Sequence, residues 1–264
     1  MNIFLRELRA YRKSVLIWCG IMLLFIVVGF SKFSAYYNNP EMLDLINDFP
    51  NAMVETFNLK TFNLTTVTGF YGVMFAYFSL MLSIAAAMWG SDIISKEERD
   101  KTVEFSLTLP VTRTRLLTAK TLAAVVNCMV LLLVTGIITV VMAQQYEPDD
   151  GFYRFIAISM LALFIVQMIF LAVGILLGCA MKQYKRAGSA SVSLLLVTYF
   201  LSIIAGMSKN LKFLKYVSPF KYFNPVTLLN ESRLDIGFIG LSVLIIAASM
   251  ARAYMSYAKR DLHI

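Results

Sequence analysis

SDIISKEERDKTVEFSLTLPVTRTRLLTAK, residues 91–120, is the longest charged interruption in an otherwise apolar chain. Its thirty residues carry six basic and five acidic side chains, and long apolar runs flank it on both sides. Such a stretch reads as a polar, hinge-like loop between two membrane spans. It holds charges of both signs but no histidine or cysteine. Its chemistry is that of a docking surface rather than of an active site.

The rest of the chain supports the membrane setting. Of 264 residues, 59% are hydrophobic and only 15% charged, with a mean hydropathy of +0.71. Soluble domains run near 45–50% apolar and about 25% charged. A water-soluble core of this size cannot hide that much apolar surface, so lipid must be the solvent for much of the chain. The net charge of +8 is not gathered into a basic domain but lies between apolar runs, which argues against a nucleic-acid partner.

Six apolar segments fall near 14–36, 68–94, 117–143, 152–181, 189–208 and 236–258. Each approaches or exceeds the roughly 20 residues needed to cross a bilayer core of about 30 Å. The expectation is a single all-α transmembrane domain over residues 1–264. With both termini placed inside, that side holds sixteen basic and seven acidic residues, and the other holds eight and nine. This follows the positive-inside rule. The predicted location is the plasma membrane, a bacterial inner membrane, with cytoplasmic termini.

Smaller features refine the picture. Residues 1–14 place Phe4, Leu8 and Tyr11 on one helical side and Arg6, Arg9 and Lys13 on another. That pattern suits an amphipathic interfacial helix, or a basic flank that only orients the first span. The outer loop near 37–67 has helical apolar spacing at Met42, Leu45, Ile46, Phe49 and Met53. The acidic connection 144–151 is short enough for a tight outer hairpin. The outer segment 209–235 mixes lysines with aromatics and includes Pro219 and Pro225, which predicts short interfacial or re-entrant helices before span six. Gly174 and Gly178 form a G-x-x-x-G, and Ala85–Ala87 cluster in span two, marking faces for close packing inside the chain or, as the alternative, against a second subunit.

Missing groups exclude several functions. The sequence contains no G-x-x-x-x-G-K-[ST], so no P-loop is expected. The spans carry almost no ionisable residues, whereas ion-coupled carriers place them at mid-membrane. The only histidine, His263, is one residue from the end, and Cys19, Cys128 and Cys179 have no metal-ligand spacing. No catalytic, cofactor or metal site is expected.

Within the opening stretch, Ser95 and Glu98 read as an S-x-x-E capping box, predicting a polar helix from Lys96 to about Ser106. Pro110 ends it, and Thr112 caps a second helix that runs through Arg113, Arg115 and Lys120 into span three. The run EERDKTVEFSLTLPVTRTRLLTAK resembles the loop of type-two ABC exporter permeases, whose pattern is close to E-E-x-x-x-G-T-[LIV]-E-x-L-L-[ST]-x-P-[VI]-[ST]-R-x-x-[LI]-x-x-[GA]-K. Glu97, Glu98, Thr102, Glu104, Leu107, Pro110, Val111, Thr112, Arg113 and Lys120 match, while Lys101 stands where that pattern often has glycine. Ser218–Pro225, SPFKYFNP, is similar to the aromatic segment before the last span of the same family.

The resemblance implies a division of labour. A cytoplasmic ABC ATPase subunit, in two copies, would use ATP and Mg. The loop 95–116 would carry the coupling helix that rests on it. Ser95, Glu97, Glu98, Arg99, Thr102, Glu104, Pro110 and Arg113 would be the docking residues. A second permease chain, identical or homologous, would complete the path. The spans, rich in Phe, Tyr, Met and Leu, suit a hydrophobic or amphipathic cargo such as a peptide, a lipid-like molecule or a drug. The alternatives are a transporter or channel working without ATP and a membrane scaffold.

Overall fold

The computed structural model describes residues 3–39, 62–99, 111–181, 183–207 and 209–259. Among these, six helices are long and apolar enough to cross a membrane. They are α1 (Ile3–Phe33), α2 (Val67–Arg99), α3 (Arg113–Ala143), α4 (Asp150–Ala180), α5 (Tyr184–Met207) and, after the short α6 (Pro225–Glu231), α7 (Ile236–Ala258). The starts of α1 and α3 lie at the same end of the bundle as the ends of α2 and α7.

Local chemistry sets most helix ends. Thr112 caps α3 by accepting from the Arg115 N–H, and Asp149 caps α4 by accepting from the Phe152 N–H at 3.0 Å. Asn224 caps α6, with Pro225 at the first helical position where a missing N–H costs nothing. Asp235 caps α7 through the Gly237 and Phe238 N–H groups. The predicted outer hairpin is a 3₁₀ turn, Gln144–Tyr146, closed by Glu147 in the left-handed region (φ 48°).

α2 and α4 form the centre. They run parallel, as expected for the second and fourth of successive spans, and the small residues singled out in the sequence set how closely they approach. A Cβ on Gly174 would lie 2.6 Å from the Ala87 carbonyl oxygen, and one on Gly178 would lie 2.7 Å from that of Ser91. Near the other end, the Tyr71 hydroxyl bonds to that of Ser159, which fixes the register. The G-x-x-x-G therefore serves packing within the chain. α1, α5 and α7 lie outside this pair and keep apolar faces exposed, for example Leu16, Ile17, Val197, Phe200 and Leu244. In water such faces would be a liability; against lipid tails they are at home.

Two sequence-based expectations need correction. The amphipathic N-terminal stretch is not a separate interfacial helix: it forms the first turns of α1, which continues unbroken to Phe33. No proline or glycine interrupts residues 3–19, and Glu7 and Tyr11 are buried against the bundle, so packing carries the helix straight through. Ser95 is not a helix N-cap either, because α2 runs through it to Arg99. A capping box needs a break before the serine. Here an established helix meets Lys96, Glu97, Glu98 and Arg99, all good helix formers, and simply propagates. Most of the expected coupling helix, and the apolar pattern at 42–53, lie outside the described residues.

The segment between α5 and α7 contains 3₁₀ turns at Lys209–Tyr216 and Pro219–Lys221, then α6. It turns back into the bundle. The Ser218 hydroxyl, fully buried, donates to the Thr198 carbonyl of α5 at 2.7 Å. The Phe220 ring stacks on Phe170 of α4 at 5.0 Å and meets Tyr199 edge-on at 5.3 Å.

Candidate functional site

The charged stretch is anchored by a knot of side chains from three helices at the bundle end that holds the start of α1. At its centre is Lys120, on the third turn of α3, with a side chain only 1% exposed. A lysine so deeply placed needs compensation for its lost hydration. Its Nζ donates to the Ile93 carbonyl of α2 at 2.9 Å and lies 3.5 Å from Glu7 Oε1 of α1. Arg6 adds a second cation 3.5 Å from the same carboxylate oxygen. One ammonium thus joins the first, second and third membrane helices.

A second set of contacts extends the knot along α2. The Tyr11 hydroxyl donates to Asp92 Oδ2 at 3.1 Å, and Lys96 Nζ sits over the Tyr11 ring at 4.6 Å. The Trp89 indole N–H donates to the Ser14 hydroxyl at 2.9 Å. Tyr11, Ser14, Trp89, Asp92 and Lys96 line a cleft of about 750 Å³ between α1, α2 and α5.

Arg113, at the first position of α3, does something different. Its Nη1 donates to the Tyr257 and Ala258 carbonyls at 3.3 and 3.2 Å. These belong to the last turn of α7, where carbonyls lack intrahelical partners and carry the negative end of the helix dipole. The Thr118 and Tyr254 hydroxyls bond at 2.7 Å one turn further on. α3 is therefore tied to α7 on one side and to α1 and α2 on another.

Of the residues expected to dock a partner, only Ser95 and Arg113 have described side chains. Ser95 is 6% exposed and faces the cleft, so its side chain is turned into the bundle. Arg113 holds α7. Glu97, Glu98 and Arg99 make the last turn of α2, their side chains not among those described, and Thr102, Glu104 and Pro110 lie outside the described residues. Sequence reasoning matched Lys120 to a motif without giving it a task, placed Tyr11 only on an apolar helical side and did not single out Glu7. A signal was present: Glu7 is the sole acid in a basic N-terminal stretch.

All of this concentrates polar contacts on the two helix ends that bracket residues 100–110. Compared with known families, residues 1–262 match the family described as "ABC-2 family transporter protein". The chain belongs to that family. No curated protein matches it closely enough to count as a relative. This ABC-2 protein is thus a multi-pass membrane permease component of an ABC transporter, and its membership implies association with an ATPase subunit. In this ABC-2 permease the Lys120 knot fastens the helix ends on either side of residues 100–110.

Proposed function

We propose that this permease is the transmembrane subunit of an ATP-driven exporter, moved by a separate cytoplasmic ATPase through the segment between α2 and α3. The observation that carries the reading is the burial of Lys120 between the helix ends that flank that segment. A loop that only connected two spans would need no such anchor. Because one ammonium holds Glu7 of α1, Ile93 of α2 and its own helix α3, a push on the loop moves three helix ends together. Arg113 passes the same motion to α7.

In this mechanism two ATPase subunits bind ATP and Mg, close, and press on the cytoplasmic face formed by the end of α2 and residues up to Arg113. Glu97, Glu98, Arg99, Thr102 and Glu104 supply the polar contacts. Pro110 separates the pressed segment from α3, and Ser95 stays with the cleft. The tilt of α2 and α3 alters access to a path shared with a second permease chain. A hydrophobic or amphipathic cargo suits the apolar helix faces, and the cleft beside Tyr11 and Trp89 opens at the level where cytoplasmic cargo would enter.

The test is co-purification with the ATPase and its turnover in nanodiscs. Glu98→Arg combined with Glu104→Arg is expected to abolish both while leaving the permease folded. Retained co-purification with undiminished ATP turnover would remove the docking assignment. Conductance or transport by the purified permease alone, with no ATPase present, would favour an ATP-independent transporter instead.

A further inference from the structure

Five basic residues stand in the outer segment 209–235, against the usual charge rule for that side. Among those whose side chains are described, Arg233 pairs with Glu231 at 2.6 Å, and Lys215 lies over the Tyr216 and Phe238 rings at 5.0 and 5.8 Å. Lys221 has neither a carboxylate nor an aromatic face among the described residues. It is nonetheless drawn inward, because Ser218 is fastened to Thr198 and Phe220 is stacked on Phe170.

Lys221 lines a chamber of about 80 Å³ between α2, α5 and the re-entrant turn. Ser79 contributes from α2, twelve residues, or about 18 Å of helix, inside its outer end. The chamber therefore reaches between the helices, where a charge withdrawn from water without a partner is costly. Ser79 is 4% exposed and its hydroxyl has no partner among the described residues. Asn224 also lines the space; its carbonyl oxygen already accepts from the Val226 N–H, which leaves its NH₂ to donate. The polar groups on offer are an ammonium, hydroxyls and an amide NH₂, with no carboxylate among them.

We propose that this chamber binds one anionic oxygen group, a phosphate or a carboxylate, between the Lys221 ammonium and the Ser79 hydroxyl. The volume is several times the roughly 10–15 Å³ that one water needs. It admits one such group, so a lipid would place only its phosphate there and leave the rest of its headgroup outside. The anion can arrive free or as the phosphate of an anionic lipid whose tails lie along the exposed faces of α5. The proposal stands on the chamber and does not depend on the ATPase-driven reading, so it is tested without the ATPase.

The experiment uses the full chain, delipidated in a maltoside micelle, with unfolding followed by tryptophan fluorescence. In one arm sodium phosphate or acetate replaces sodium chloride at constant ionic strength. In the other, phosphatidylglycerol is added and retained lipid is counted by native mass spectrometry. Wild type is expected to show a saturable rise in midpoint, roughly 5–10 °C at a hundred times Kd. A rise with free phosphate or acetate identifies a free anion; a rise only with phosphatidylglycerol, together with one retained lipid, identifies the headgroup. Either response should vanish in Lys221→Met and persist in Lys221→Arg. Should Lys221→Met not fold, Ser79→Ala is expected to raise the Kd about tenfold, the value of a hydrogen bond to a charged group, and so to roughly halve the midpoint shift at the same concentration. No response in wild type, or an equal response in wild type and the tested variant, would overturn the proposal.

Discussion

Replacing Lys120 by methionine is the sharpest perturbation of the anchor behind the charged segment. Methionine preserves length and apolar packing but removes the ammonium, so Glu7 loses its α3 partner and the Ile93 carbonyl loses a 2.9 Å bond. Breaking a buried ion pair from one side costs about 3–5 kcal/mol, because the remaining charge stays buried. Arg6 still lies 3.5 Å from Glu7, which argues for the low end, about 3 kcal/mol. For a chain of this size that corresponds to a fall in unfolding midpoint of roughly 6–12 °C. The assay is thermal unfolding in nanodiscs, and Trp89, held by Ser14 beside the site, supplies a local fluorescence signal. Glu7→Gln in the same chain removes the stranded carboxylate, so the double variant should recover at least half of the loss. A fall below about 2 °C for Lys120→Met, or strictly additive losses in the double variant, would show that the ion pair does not hold the three helix ends together.

Other outcomes follow from the same geometry. Gly174→Leu drives a side chain into the Ala87 backbone, where even a Cβ has no room. Overpacking of this kind costs about 1–3 kcal/mol or more, so aggregation or loss of monodispersity on size exclusion is expected. Arg113→Ala removes both bonds to the end of α7, so hydrogen exchange in its last turn should rise about tenfold, matching a loss near 1–2 kcal/mol. Asp235→Ala removes the cap of α7 and should cost about 1 kcal/mol, while Asp235→Asn should be nearly neutral in thermal unfolding.

The membrane-spanning architecture was legible in the sequence because it follows from quantities that add along the chain. Apolar runs long enough to cross a bilayer marked six spans, and side-chain chemistry next to them marked the cap at Thr112 and the tight connection before α4. The family resemblance was legible for a related reason: EERDKTVEFSLTLPVTRTRLLTAK is a contiguous string. Local rules failed where helix propagation or packing competed with them. Ser95 and Glu98 satisfy a capping pattern, yet an existing helix extends more readily than a new one starts. The amphipathic beginning of α1 is absorbed into the first span in the same way.

Solvent, helices and family could all be read from consecutive residues, since hydropathy and motif are properties of neighbours in the chain. The roles of the scattered charges emerged from packing alone. Glu7, Ile93 and Lys120 are separated by long stretches of chain, and Ser79 and Lys221 by longer ones. Their meaning depends on which groups share a low-dielectric space, where an ammonium must find a carboxylate, a carbonyl or an anion. No spacing rule along the chain expresses that requirement; the packing of α1, α2, α3 and α5 does.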